Sequence, residues 1–192
     1  MGFVIQDGTG KGFNAGIDST NRILTRTVNE TIFESSAEEG EAYFIGTPLI
    51  TLTNAAASGI FLITNTEDYD IIFHNFFFVA ESTNATVQMF RASWYKDATA
   101  LSSPTAIVPL NQNFGSSKTL SVTAVSGVQG STFTGGSLVA QLSFPIGQFN
   151  EFEAELVLPK GSTLGIAITP PTGNTSMPVQ FGARSYRYIK TY

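Results

Sequence analysis

The sequence has no cysteine, one histidine, one tryptophan and few charges, and each scarcity removes some chemistry. Without cysteine there is no disulfide and no thiolate metal site, which fits synthesis in a reducing cytosol. With His74 as the single histidine, a multi-histidine zinc site is impossible and a histidine-dependent triad would have to use that residue. His74 lies between Phe73 and Asn75 in the most apolar stretch of the chain, the setting of a structural histidine rather than of an acid–base catalyst. Charged residues make up 13%, about half the usual share. The ten Lys and Arg residues are scattered, with Arg184, Arg187 and Lys190 as the one loose group, and the net charge is -5. Binding to phosphates needs a basic patch, so neither nucleic acid nor an anionic membrane surface is an expected partner. No apolar run approaches the roughly 20 residues of a membrane-spanning helix. The start, MGFVIQDG, has neither the basic region of a secretory signal nor the Ser or Thr of a myristoylation signal.

What is present is β-forming. Hydrophobic residues reach 42%, with 16 Phe, and the polar share is carried by Ser, Thr, Asn and Gly. The stretch Gly59 to Glu81 reads as two strands, Ile60 to Thr64 and Asp70 to Ala80, joined by the turn Asn65, Thr66, Glu67, Asp68. In the second strand Ile72, His74, Phe76 and Phe78 share one parity, and Ile71, Phe73, Phe77 and Val79 share the other. Both faces are apolar, so the strand is expected to be covered on both sides or to carry a contact between subunits on one.

The rest of the chain follows the same pattern. Residues 1–21 read as an extended, Gly-rich arm, and residues 22–192 as a single β domain. A strand is expected over Arg22 to Phe33, then a short helical turn or acidic loop in which Ser35 and Glu38 have capping-box spacing, Gly40 ends the turn, and Glu38, Glu39 and Glu41 are solvated. Pro48 splits two short strands, Tyr43 to Ile45 and Leu49 to Thr53. Thr86 to Lys96 alternates, and the long connection after it, with Pro104 and Pro109, reads as a loop that carries contacts or as an excursion from the main sheets. Strands are then expected at Thr119 to Val125, Leu138 to Phe144, Glu151 to Leu158, Leu164 to Thr169 and Val179 to Ile189, with SGVQGSTFTGGS as a flexible turn between the first two. Nine or ten strands with turn signals between them predict an all-β fold, an antiparallel β-sandwich or jelly roll with an extended N-terminal arm.

Motifs that would carry chemistry are weak. DGTGKG lacks the spacing and the Ser or Thr of a phosphate loop. Glu67, Asp68 and Asp70 form an oxygen-rich turn without EF-hand spacing. Glu151, Glu153 and Glu155 share one strand face, which gives no means of separating their pKa values for glycoside cleavage and reads as a charged outer face. The expectation is no catalytic residue, no cofactor and no metal. Three Asn-X-Ser/Thr sequons, at Asn29, Asn84 and Asn174, read as chance in so Asn- and Ser-rich a chain.

The opening IQDGTGKGFNAGIDSTNRILTRTV, the hairpin FLITNTEDYDIIF, the loop VPLNQNFGSS and the late segment LVLPKGSTLGIAITPP resemble virion structural proteins of tailed bacteriophages. Such proteins open with a Gly-rich "DGTG" arm, here Asp7 to Gly10, followed by an Asp-x-x-Asn-Arg-Leu step, here Asp18 to Ile23 with Ile23 in the Leu position. The resemblance implies a jelly-roll capsid decoration or cement protein, made in the host bacterial cytoplasm and located in the virion. Its implied partners are the major capsid protein and two further copies in a homotrimer, with no nucleic acid and no membrane. Candidate interface residues are Phe3, Val4, Ile5, Phe13 and Ile17 of the arm and Tyr186 and Tyr188 of the last strand. A tail-fibre or baseplate subunit that binds host-surface carbohydrate uses the same β architecture and is the alternative. A small hydrolase is a third class, disfavoured because one His and no Cys leave no nucleophile–base–orienter set to assemble.

Overall fold

The computed structural model describes residues 31–82 and 89–188, with the backbone of 16–17 and 23–24. The chain divides into two compact units, residues 1–31 and 32–192. In the first, β1 (Gly16–Ile17) and β2 (Ile23–Leu24) pair antiparallel, Gly16 opposite Leu24 and Ile17 opposite Ile23.

The second unit runs α1 (Ile32–Glu38), β3 (Ala42–Gly46), β4 (Ile50–Leu52), β5 (Ser58–Asn65), β6 (Asp70–Ala80), β7 (Met89–Leu101), β8 (Thr105–Ala106), β9 (Leu110–Asn111), β10 (Val122–Ser126), β11 (Phe133–Pro145), β12 (Phe149–Leu158), β13 (Thr163–Thr169) and β14 (Met177–Tyr188). One sheet has the order β12-β6-β14-β3-β9, with β4 also on β14, and the other β11-β7-β13-β5-β10-β8. All pairings are antiparallel. Counting β3 and β4 as one strand and setting aside the short excursion β8 to β10, the eight main strands change sheet at every step in chain order except from the fourth to the fifth: first, eighth, third and sixth lie in one sheet, second, seventh, fourth and fifth in the other. That is the jelly-roll connection of a β-sandwich.

The inner faces meet in an aromatic core. Phe61, Phe73, Phe76, Phe78, Phe90 and Phe181 are fully buried around Trp94. Their rings pack in a mixture of tilted, edge-on and stacked pairs, for example Phe61 tilted on Phe181 at 4.8 Å, Trp94 edge-on to Phe78 at 5.8 Å and Phe73 stacked on Phe76 at 5.7 Å.

β6 occupies the expected Asp70 to Ala80, but its parity changes partway. On β14, Arg184 pairs with Asn75 and the next residue, Ser185, pairs with Phe73, so His74 is an extra residue; β12 has a shift of its own between Glu153 and Leu156 at the same level. The bulge puts Ile71 and Phe73 on the same side as Phe76 and Phe78, all in the core, and leaves Ile72 and Phe77 on the other.

Two expected element boundaries also need correcting. Ile32 and Phe33 belong to α1 rather than to a strand, and of the expected strand Arg22 to Phe33 the described backbone shows β2 alone; residues 25–30 lie outside the described residues. The helix therefore starts before Ser35, with Thr31 and Glu34 at capping-box spacing. It ends as expected at Gly40, whose φ is 73°, in a Schellman arrangement: Gly40 N donates to Ala37 O at 3.1 Å and Glu41 N to Ser36 O at 2.7 Å. The second correction concerns β11, which begins at Phe133, inside the segment read as a flexible turn. Gly135 and Gly136 have φ of 66° and 90° and sit at a register shift opposite Ala98, so these glycines serve a bulge within a strand.

Pro48 interrupts the edge as expected. Thr47 bridges the gap, its Oγ1 accepting from Phe181 N at 3.0 Å while its N donates to Phe181 O at 2.9 Å. The long connection pairs through β8 with β10 and through β9 with β3, so it lines the same side of both sheets.

Glu41, expected in solvent, is buried. At the end of the sandwich where β5 turns into β6, its carboxylate receives Arg187 and, at 2.6 Å, Lys118. Arg187 also holds Glu67 at 2.7 Å and donates to Thr119 O at 3.1 Å. This network ties β14 to the turn and to the chain that leads into β10. The turn's other acid near the tip, Asp68, pairs with Lys160, which holds its carboxyl below the usual range through a hydrogen bond and its charge. Asn65 opens the same turn with both amide hydrogens and its oxygen engaged: it donates to Tyr69 O and Leu158 O at 2.9 and 2.8 Å and accepts from Glu67 N at 2.8 Å.

Candidate interaction face

The outer face of the β12-β6-β14-β3-β9 sheet has two halves. One is covered. Helix α1 lays Phe33 and Ala37 over Ala42, Ile72 and Tyr186. Phe33 stacks on His74 with ring centroids 5.5 Å apart and meets Tyr186 edge-on at 6.3 Å. The bulge residue His74 is thus part of the helix seat.

The other half is open. Register places Phe149, Val79 and Gln180 in one row, Glu151, Phe77, Gly182 and Gly46 in the next, and Glu153, Asn75, Arg184, Phe44 and Leu110 in a third. The rings form a connected surface, with Phe44 on Phe77 at 6.4 Å and Phe77 stacked on Phe149 at 5.6 Å. Glycine makes this possible at two points. A Cβ on Gly182 would lie 2.6 Å from Phe44 Cζ, and one on Gly46 would lie 2.9 Å from its Cε1, so the Phe44 ring rests directly on the sheet backbone.

The result is a groove of about 300 Å³ lined by Phe44, Phe77, Val79, Gln112, Phe149, Gln180 and Arg184 over Phe181 and Gly182. Phe149 on β12 and Leu110 on β9, at the two edges of this face, are each 63% exposed, high for large apolar side chains. The guanidinium of Arg184 stacks over Phe77, 5.2 Å from the ring centre. Gln180 Nε2 donates to Thr47 O at 3.2 Å, which fixes its amide at the groove wall. On the acidic margin, Asn75 Nδ2 donates to Glu151 Oε1 at 2.7 Å. The groove lining holds apolar surface, amides and one cation, and no nucleophile or acid–base pair, so what it offers is binding. Among the described residues no group of three His, Cys, Asp or Glu is placed to hold a metal ion.

The sequence-derived interface residues fall in different places. Phe3, Val4, Ile5 and Phe13 lie outside the described residues, and Ile17 stands in β1 opposite Ile23. Tyr186 is buried beneath α1, while Tyr188 is exposed at the end of β14. Burial pushes the Tyr186 phenol above its ordinary pKa. The open half of the face, with Phe44, Phe77, Phe149 and Arg184, is absent from that set. Its signal was the second apolar parity of β6, Phe77 and Val79, which pointed to a cover or a contact without saying which strands would complete it.

No protein-family model matches the chain, and no curated protein is similar to it in sequence.

Proposed function

We propose that this protein is a non-enzymatic virion structural protein, a decoration or cement protein that binds the outer surface of a phage capsid and stabilises it. The observation that carries the reading is the open aromatic half of the outer sheet face, with Phe44, Phe77, Phe149 and Leu110 presented together around Arg184. Contact surfaces favour aromatics and arginine, and such residues dominate their energetics when a partner excludes water from them. The jelly roll, found in many capsid proteins, and the resemblance of the opening and of the loops to phage virion proteins support the major capsid protein as the partner. Self-association as a homotrimer, with the arm residues Phe3 to Ile5 as part of the contact, belongs to the same reading.

The test is banding of native particles on a density gradient with stoichiometry read from the band. Hundreds of copies per particle support the reading, and absence from the particle overturns it. Particles lacking the protein should lose resistance to heat and osmotic shock, and equal resistance would exclude cementing.

One observation favours a second reading, a tail-fibre or baseplate subunit that binds host-surface carbohydrate. The groove pairs aromatic rings with Gln112, Gln180 and Arg184, groups that also suit sugars. A few to a few dozen copies per particle, with binding on a glycan array, would select it.

A further inference from the structure

Two arginines of β14 stand three residues apart and are treated oppositely. Arg187 is enclosed by the carboxylates of Glu41 and Glu67. Arg184 lies in the open groove against Phe77, and among the described residues its guanidinium has neither an ion pair nor a hydrogen bond. The acids nearest it on its own face belong to β12, Asp70 of β6 standing at the far end beside Tyr188. Glu151 is engaged by Asn75, and Glu153 stands in the Arg184 row but two strands away, about 10 Å by strand spacing. Beside Arg184 the groove adds the amide of Gln112.

We propose that this groove is a binding site for an apolar carboxylate, a ring or branched chain that carries one carboxylate group. The apolar body would lie on Phe44, Phe77 and Phe149, and the carboxylate would pair with Arg184. A guanidinium presents a planar fork that matches a carboxylate with two parallel hydrogen bonds. One cation among apolar walls suits a single negative charge better than a phosphate, and rings with few polar neighbours suit an apolar body better than a polyhydroxylated one. The chemistry is shared by a free organic acid and by an acidic residue next to an aromatic one in a partner protein. The inference rests on reading the open face as a binding surface, and its test needs no particle, so its failure is separable from failure of the capsid reading.

The experiment is a titration of the full chain followed through its backbone amide NMR signals. Gly46 and Gly182, beneath the Phe44 ring, are the reporters, because ring currents move their signals when Phe44 is contacted. Hydrocinnamate should produce saturable shifts, and its neutral amide, of the same shape, should bind about tenfold more weakly, the size expected from losing a charged hydrogen-bonded pair. Arg184→Gln, a change at an exposed side chain, should bring the acid down to the level of the amide, and Arg184→Lys should recover part of the difference. Acetyl-Phe-Asp-amide separates the sources: binding as strong as that of the free acid indicates a protein-borne carboxylate, and binding of the free acid alone indicates a small molecule. Equal binding of acid and amide, a difference that survives Arg184→Gln, or no saturable shift at the solubility limit of hydrocinnamate would each overturn the proposal.

Discussion

The two faces of one sheet use the same kinds of side chain and reach opposite ends. On the inner face, Phe76, Phe78 and Phe181 meet the second sheet and are fully buried. On the outer face, Phe44, Phe77 and Phe149 come from the same sheet and, among the described residues, find no second layer beyond the seat of α1. Residue type therefore does not decide which face is core. A covering element does, and α1, with seven residues, covers half of what the sheet offers. An aromatic that stabilises the fold on one face is, one position along the strand, free to serve binding on the other.

That contrast can be broken with substitutions in adjacent positions. Phe76→Ala removes a ring from the centre of the core and should cost about 3–5 kcal/mol in urea unfolding. Phe77→Ala, next to it, should cost less than about 1 kcal/mol while weakening partner binding. Similar losses at both positions would mean that the outer face is packed in solution.

A second prediction concerns the closed end of the sandwich. Glu41→Ala takes one of two carboxylates from the mostly buried Arg187, which keeps Glu67, and leaves the half-exposed Lys118 without its ion pair; it should destabilise by roughly 1.5–3 kcal/mol. A loss below about 1 kcal/mol would place the network in the class of surface ion pairs.

The same end makes stability depend on alkaline pH. Burial, the largest cause, raises the Tyr43 phenol above its ordinary value of 10.0, and Tyr186 beneath the helix is raised likewise. Both folded-state values lie above the unfolded one, so the contribution of the neutral phenols is intact below pH 10 and is lost as pH rises through the folded values. Urea midpoints measured from pH 8 upward should hold until about pH 10 and then fall, and Tyr43→Phe should flatten part of that fall.

The remaining effect belongs to the covered half of the outer face and lies between those of Phe76→Ala and Phe77→Ala. Phe33→Ala should cost about 1–2 kcal/mol, because the ring is only half-buried, and should increase hydrogen exchange in α1 without disturbing the sheets.

Much of the fold was legible because alternation is a local signal. β6, β13 and the turn at Asn65 stand where composition and turn chemistry put them, and Pro48 splits its two strands as expected. What failed was non-local. The bulge at His74 depends on how β12 and β14 align with β6, so a parity drawn through the whole strand placed Ile71 and Phe73 with the wrong partners. Gly135 and Gly136 looked like a turn because two glycines in succession carry no sign of the strand that will pair with them. Glu41 looked solvated because its partners, Lys118 and Arg187, lie 77 and 146 residues away. Of the candidate face, the apolar second parity of β6 was visible, but Phe44, Phe149 and Arg184 join it only through the jelly-roll strand order.

The pairing of β3 with β14 also sets how the domain answers a pull. Ala42, where the sandwich begins, lies opposite Tyr186, near where it ends, and the two strands run antiparallel from there. Tension applied to the chain just outside this rung, before Glu41 and after Arg187, would open that pair one rung at a time, like a zip, instead of loading all its rungs together in shear. The first rung to take the load is the link between Glu41 and Arg187, where the backbone bond from Arg187 N to Glu41 O, at 2.9 Å, is doubled by the ion pair of their side chains. Resistance to mechanical opening is thus concentrated in one latch at the mouth of the fold, and the large aromatic core behind it comes under strain only after that latch gives way.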